Sequence, residues 1–142
     1  MSQSLLIKSN QYLNSAQFLI ENEFWCPSVH CSYYACLQLI KQILYLKKGR
    51  KTVDSDLRNK YSHVYLIDNI VALYAGTVYH KPELKFFNFL EIDLNTDLYD
   101  LKAKRRTADY DADNISEKDC KSAYTASRDI INMLDKIYLS RL

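Results

Sequence analysis

The scarcity of chain-breaking residues constrains the fold of this chain more than any other feature. Only two glycines and two prolines occur among its 142 residues. Sandwiches and barrels built from many short strands need frequent turns, and glycine and proline are among the residues that form them. The chain is therefore predicted to be all-α. Its length favours one hydrophobic core and a single domain over residues 1–142.

Composition and charge exclude several classes of protein. The chain is 48% hydrophobic and 25% charged, which is typical of a folded globular protein. Its N-terminal segment does not resemble a secretory signal, and the longest apolar stretch, residues 33–46, is too short and too often interrupted to span a bilayer. We therefore expect a cytoplasmic protein without a membrane segment. The formal net charge of +2 is small, so any contact with nucleic acid has to be local.

Apolar residues recur at helical spacing in five segments separated by short links. This pattern predicts an up-and-down bundle of four to five antiparallel helices. Gly49 is expected to end the second helix, and the polar run over residues 47–60 is predicted to be a loop. The five predicted helices run from about Ser4 to Glu21, from Pro27 to about Leu46, from Ser62 to Tyr79, from about Phe86 to the charged stretch ending at Asp111, and from a Ser116 cap supported by Asp119 to about Ile137.

The fourth predicted helix has the clearest apolar seam, and Arg105 falls on it. A guanidinium in that position needs a carboxylate, an anion or water. Asp109 lies one turn after Arg105 and can pair with it. The stretch "KRRTADYD", residues 104–111, is therefore either a salt-bridged helix end or a small phosphate-binding site. The seam consists of Leu90, Leu94, Leu98, Leu101, Arg105 and Ala108.

His63 stands at the predicted start of the third helix, beside Ser62. One interpretation is an ordinary residue near a helix cap. The other is a proton acceptor or donor, because imidazole titrates near neutral pH and could act on a substrate if it faced Arg105. The sequence leaves both interpretations open.

Cysteine and basic residues offer two further candidates. The four cysteines lack the close pairing of a zinc site, and we interpret them as reduced, small core residues. Cys26 and His30 share a helix face, but no further ligands follow at recognisable spacing, so neither a metal site nor a cofactor is predicted. The basic residues of the predicted loop either contact a phosphate backbone or are solvated, and Asp54 and Asp56 weaken their field; these cations are Lys47, Lys48, Arg50 and Lys51.

Two segments resemble a known family. "SVHCSYYACLQLIKQIL", which contains Tyr33 and Tyr34, resembles the second-helix signature of HEPN domains, named for higher eukaryotes and prokaryotes nucleotide-binding. "RRTADYD" is similar to the Arg-x-x-Ala-Asp-Tyr signature of one prokaryotic branch of that family, and His63 resembles the histidine that often begins its third helix. The matching positions of the second segment are Arg105, Ala108, Asp109 and Tyr110.

The resemblance runs from about residue 4 to residue 137 and implies a helical bundle with a polar cleft. It also implies a two-fold homodimer, which the aromatic residues Phe86, Phe87 and Phe89 favour. Many HEPN proteins are metal-independent endoribonucleases that act as toxins and are encoded beside a nucleotidyltransferase partner. A toxin–antitoxin or defence role and such a partner are therefore expectations from the resemblance.

The sequence departs from the usual catalytic signature of the family, an arginine followed four to six residues later by histidine. No histidine follows Arg105, and Tyr110 stands five residues after it. A phenol with a pKa of about 10 is a poor base at neutral pH, although it can donate a hydrogen bond to phosphate.

Three functions are compatible with these observations. The first is binding of a nucleotide or RNA phosphate by Arg105, with Asp109 orienting Arg105, Tyr110 stacking or donating a hydrogen bond, and an opposite wall formed by Tyr33, Tyr34 and His63. The second is a metal-independent endoribonuclease toxin, in which Arg105 stabilises the anion and His63 or Tyr110 transfers a proton. The third is a non-catalytic interaction subunit, in which the polar cluster only fixes the helix.

Overall fold

A computed structural model describes residues 4–59 and 61–139, with side chains for all of these except residue 59. Within those ranges the chain contains helices and no strand, which confirms the predicted all-α bundle. No helix there has the length and apolarity needed to cross a bilayer. The elements are α1 (Ser4–Glu21), α2 (Trp25–Lys48), α3 (Arg50–Asn59), α4 (Ser62–His80), a 3₁₀ turn (Pro82–Phe87), α5 (Leu94–Tyr110), a second 3₁₀ turn (Ala112–Asn114) and α6 (Glu117–Tyr138).

The helix α2 forms the centre of the bundle and contacts each of the other five α-helices. It is apolar on two faces, as expected for a central helix. Small polar residues mediate two of its helix contacts. Ser9 of α1 donates a hydrogen bond to the Ala35 carbonyl at 2.8 Å, and Ser127 of α6 donates one to the Ser32 carbonyl at 2.6 Å. These bonds satisfy buried hydroxyls and fix α1 and α6 against α2.

Several predicted helix ends are correct because local side chains or backbone geometry set them. Gly49, with φ of +89°, ends α2, and its N–H donates to the Tyr45 carbonyl. Ser116 and Asp119 form the predicted capping box at the start of α6, with hydrogen bonds of 3.0 and 3.1 Å. Pro27 was predicted to be the first residue of α2 and is its third. At the third position the helix still makes no use of the N–H that proline lacks.

The prediction of a loop over residues 47–60 is wrong, because α3 occupies most of this segment. Val53 is fully buried and anchors α3 to the core. Phenols from the neighbouring helices also hold it. Tyr45 of α2 donates a hydrogen bond to Asp54 at 2.5 Å, and Tyr65 of α4 donates one to Asp56 at 2.7 Å. A polar helix is thus stabilised largely by contacts between helices.

The predicted start of the fourth long helix near Phe86 is also wrong, since α5 begins at Leu94. Glu91 adopts a left-handed φ of +53°, which interrupts any helix at that point. The Asp93 carboxylate then caps α5 by accepting a hydrogen bond from a first-turn N–H. Leu90 therefore lies outside the helix and is 52% exposed, while the other apolar residues of the seam, Leu94, Leu98, Leu101 and Ala108, are buried.

The four cysteines are free thiols. Cys36 and Cys120 are buried, in agreement with the prediction that they fill the core. Cys26 and Cys31 are only half-buried, so that prediction is wrong for these two residues.

Candidate functional site

Arg105 lies on the inward face of α5. Leu98, Leu101 and Ala108 stand at helical spacing from it and are buried. The Arg105 side chain is itself only 20% exposed. Its position on the apolar seam is therefore as the sequence register predicts, at the rim of the core.

Asp109 is the acidic partner of Arg105. Arg105 Nε lies 2.9 Å from Asp109 Oδ2, one turn further along α5. The Nε–H bond of Arg105 does not point at this oxygen, and the buried Nε has no aligned acceptor among the described residues. The other Asp109 oxygen is 3.7 Å from His30 Nδ1 on α2. The contact is therefore an ion pair that places the guanidinium without using up its hydrogen-bond donors.

Aromatic rings from α2 and α4 support this guanidinium. The centre of the Tyr34 ring lies 5.7 Å from Arg105 Cζ, within the range of a cation–π contact. The same ring packs against His30, Tyr33 and His63, with ring centres 4.5, 5.4 and 5.5 Å away. Tyr33 and Tyr34 follow His30 on α2 by three and four residues, so both rings are its neighbours on the helix surface.

Tyr33 and His63 form a hydrogen bond beneath the site. The Tyr33 hydroxyl lies 3.1 Å from His63 Nδ1, and the Tyr33 side chain is fully buried. Burial, reinforced by Tyr34, raises the pKa of Tyr33, so it remains a neutral phenol. Burial, followed by the charges of Arg105 and Lys102, lowers the pKa of His63 below its usual 6.5. Both partners are therefore neutral at pH 7.

A cleft of about 450 Å³ opens between the start of α4 and the end of α5, above this cluster. Among the described residues, its lining includes three cations and no carboxylate, and Asp109, the partner of Arg105, lies outside the lining. Tyr61 and Tyr110 line it as well and are 85% and 79% exposed. The cleft thus combines positive charge with two accessible aromatic rings. Its cations are Lys102, Arg105 and Arg106.

A larger open groove of about 790 Å³ lies between the segment before α5 and α6. Four carboxylates and two lysines line it, which makes it a poor place for phosphate. These residues are Glu91, Asp97, Glu117, Asp129, Lys118 and Lys121. The two pockets therefore differ in charge: cations line the smaller Arg105 cleft, whereas carboxylates outnumber lysines in the larger groove.

The structure brings most of the predicted site residues together. Arg105, Asp109 and His63 converge with Tyr33 and Tyr34 on one cluster. Tyr110 is not part of that cluster and lies at the mouth of the cleft.

Four residues of the site were not predicted: His30, Tyr61, Lys102 and Arg106. His30 could have been recognised from sequence, because it lies one turn before Tyr34 on the same helix face. Tyr61 and Lys102 meet only through the packing of α4 against α5, which no local pattern reveals. Within the described part of the chain, no group of three histidine, cysteine or carboxylate side chains could hold a metal ion.

Comparison with protein-family models, with curated proteins and with solved structures finds no match to this chain. What the cleft can do therefore has to be inferred from its own geometry and chemistry.

Proposed function

We propose that this chain is a HEPN-type helical protein that binds the phosphate of a nucleotide or of single-stranded RNA in the Arg105 cleft. The observation that carries the proposal is a cleft with three cations, no carboxylate and two exposed tyrosines on its walls. Cations that track a phosphate backbone, combined with rings on which bases stack, are the usual means of binding single-stranded nucleic acid.

Arg105 suits phosphate because it is held in place before any ligand arrives. Asp109 and the Tyr34 ring fix the guanidinium from two sides, which reduces the entropy lost on binding. Partial burial also strengthens its attraction for an anion relative to a fully solvated arginine.

The tyrosines at the mouth of the cleft supply the second part of the interaction. Stacking of a base on an aromatic side chain contributes about 1–3 kcal/mol. Tyr61 precedes α4 and Tyr110 ends α5, so they present rings from two elements. Bases on either side of a bound phosphate could each meet one ring.

The test is titration of the full chain with a short single-stranded RNA and with a mononucleotide, comparing wild type with Arg105→Ala. We expect the variant to lose about 10- to 150-fold in affinity, the value of a charge-assisted hydrogen bond of about 1.5–3 kcal/mol. Arg128→Ala is the matched control. Arg128 also faces a tyrosine ring, at 5.9 Å, and an aspartate, at 3.4 Å, but on α6 and outside the cleft.

Equal affinities of wild type and Arg105→Ala would refute the proposal. If Arg105→Ala only lowered the stability, by about 1–2 kcal/mol for a partly buried ion pair, the interaction-subunit alternative would be favoured. The free energy of unfolding of Arg105→Ala and Arg128→Ala should therefore be measured by chemical denaturation alongside the titrations.

One observation favours a second function, metal-independent cleavage of RNA. The lowered pKa of His63 keeps it neutral in a cleft that it shares with Arg105. A neutral imidazole can take the proton of a ribose 2′-hydroxyl, which then attacks the adjacent phosphorus while Arg105 offsets the developing charge. The bond between phosphorus and the 5′-oxygen then breaks, and that oxygen takes a proton from water, which gives a 2′,3′-cyclic phosphate and a 5′-hydroxyl.

The hydrogen bond to Tyr33 makes the tautomer of His63 decisive. If the phenol donates to Nδ1, Nε2 carries the hydrogen and is a donor for phosphate. If Nδ1 donates to the phenol, Nε2 has a free lone pair and can act as a base. Nitrogen NMR of the imidazole distinguishes these states, and incubation of RNA with chelator shows whether cleavage occurs. The Nε2–H tautomer together with intact RNA would exclude the nuclease.

The homodimer implied by the resemblance belongs to the same proposal. Phe86 and Phe89 are 85% and 74% exposed, so they are accessible to a second copy, whereas Phe87 is half-buried. Sedimentation of wild type and of Phe86→Ser tests this, and a wild-type monomer at micromolar concentration would contradict it. A nucleotidyltransferase partner in a toxin–antitoxin pair is tested by co-purification with the product of the neighbouring gene.

A further inference from the structure

A separate cavity of about 530 Å³ lies at the C-terminal end of α2. Its walls come from the first turns of α1, the last turns of α2 and the start of α3. Tyr45, on its wall, is eleven residues beyond Tyr34 along α2, which corresponds to about 16 Å. The cavity shares no lining residue with the Arg105 cleft. Its volume is in the range of small-molecule sites.

Three cations from three different helices line this cavity. Lys8 comes from α1, Lys41 from α2 and Arg50 from α3, and none of the lining residues that the structure describes is acidic. Asp54 lies beside them, with Oδ2 3.6 Å from Arg50 Nε. This carboxylate offsets one of the three charges, and the remaining balance of +2 favours a multiply charged anion.

Tyr45 contacts two of these cations and donates a hydrogen bond to the carboxylate. Lys41 Nζ lies 5.7 Å and Arg50 Cζ 5.3 Å from the centre of its ring. Its hydroxyl donates to Asp54 Oδ1 at 2.5 Å, and burial, followed by this hydrogen bond, raises the pKa of Tyr45 to about 12. The phenol therefore remains protonated. Arg50 lies 3.6 Å from the other Asp54 oxygen, which is longer than a hydrogen bond, so the guanidinium keeps donors for a ligand.

The start of α3 adds to the positive field. Its first backbone bond runs from the Val53 N–H to the Gly49 carbonyl, so the preceding N–H groups of the first turn have no acceptor within the helix. The first turn also carries no acidic residue. The helix α2 ends nearby, and Lys47 and Lys48 in its last turn offset the carbonyl end of its dipole.

We propose that this cavity binds a small phosphorylated anion of the class of a phosphate monoester or diphosphate. Lys8, Lys41 and Arg50 bind the phosphate oxygens. Leu5 and Tyr45 give apolar surface for an organic group, and the Gln42 side chain, in a residue only 4% exposed, lines the same wall. The site is additional to the RNA-phosphate site at Arg105 and does not depend on it.

The test is titration of the full chain with inorganic pyrophosphate, followed by calorimetry and by amide NMR. We expect saturable shifts at the Tyr45 to Lys51 amides and at least about tenfold weaker binding for Arg50→Gln. The Arg50 side chain is 70% exposed, so its replacement does not disturb the core. Lys51→Gln is the matched control, since it removes the same charge from the next residue, which does not line the cavity. It should weaken binding by less than about threefold.

Absence of saturation at millimolar pyrophosphate would overturn the proposal. So would equal weakening by Arg50→Gln and Lys51→Gln, which would indicate a diffuse surface field. Shifts confined to residues 61–64 and 102–110, with binding lost in Arg105→Ala, would assign pyrophosphate to the other cleft. RNA binding should be unchanged in Arg50→Gln, because Arg50 lies outside the Arg105 cleft. The RNA-binding proposal and the pyrophosphate-binding proposal can therefore be refuted independently.

Discussion

RNA binding at the Arg105 cleft should weaken with salt in proportion to the cations that the cleft supplies. Three cations line it. If each neutralises one phosphate of a single strand, the slope of log affinity against log salt concentration is about −2.1, because each contributes about −0.7. Raising the salt from about 50 mM to about 200 mM then weakens binding about 20-fold. Fluorescence anisotropy of a short labelled RNA measures this slope.

Arg106→Gln provides the perturbation, because Arg106 lines the cleft and is exposed, so its removal alters charge without altering packing. We expect its slope to fall to about −1.4. Arg128→Gln, outside the cleft, should leave the wild-type slope unchanged. The reasoning fails if Arg106→Gln keeps the wild-type slope. It also fails if the wild-type slope is steeper than about −4, which needs more cations than the described residues of this cleft supply.

Three further predictions concern stability. Leu98→Ala empties a fully buried position of α5 and should lower the free energy of unfolding by about 2–5 kcal/mol in urea denaturation. Ser116→Ala removes the capping box of α6 and should cost about 1 kcal/mol, whereas Thr125→Ala, exposed in the middle of α6, should cost nothing measurable. The pKa of His63 is lowered in the folded state, so the unfolded chain binds that proton more readily. The free energy of unfolding should therefore be highest above pH 6.5 and should decrease as the pH falls from 6.5 through the lowered pKa of His63. The variant His63→Gln lacks this titration, so a curve of stability against pH identical to that of the wild type would contradict the prediction.

Local sequence rules predict those parts of the fold that local interactions determine. The glycine at position 49 ends α2 because its left-handed backbone closes the helix, and Ser116 begins α6 because its side chain replaces a missing helical acceptor. Each of these two helix-end signals can be recognised from a stretch of about four residues of sequence. Helical periodicity likewise locates the long helices, since each buries one apolar face.

The errors occur where distant contacts decide the structure. The helix α3 is polar, and its position depends on phenols of α2 and α4 that donate to Asp54 and Asp56. The sequence of α3 alone predicts a loop. Before α5, Leu90 continues the apolar spacing of the seam, but the left-handed Glu91 breaks the helix there. Periodicity reports which residues favour burial, and it does not report whether the backbone between them is continuous.

The same distinction applies to the site. Arg105 and Asp109 could be paired from sequence because both lie on one helix, one turn apart. The contact of Tyr33 with His63 joins residues thirty apart on different helices, and only the packing of α4 against α2 creates it. From sequence, their meeting in one cleft was a hypothesis only, since no spacing rule relates residues on different helices.

Helix geometry also separates the two candidate proton carriers. Five residues along an α-helix correspond to a rotation of about 140°, so Tyr110 cannot share the face of Arg105, whereas Asp109, four residues on, can. Tyr110 is accordingly 79% exposed at the mouth of the cleft, while the half-buried His63 lies against Tyr34 beneath it. The guanidinium of Arg105 and the imidazole of His63 both contact the Tyr34 ring, so a phosphate seated on the guanidinium would lie near the imidazole. If this cleft cleaves RNA, the geometry favours His63 for proton transfer and leaves Tyr110 to stack on the base that extends beyond the mouth.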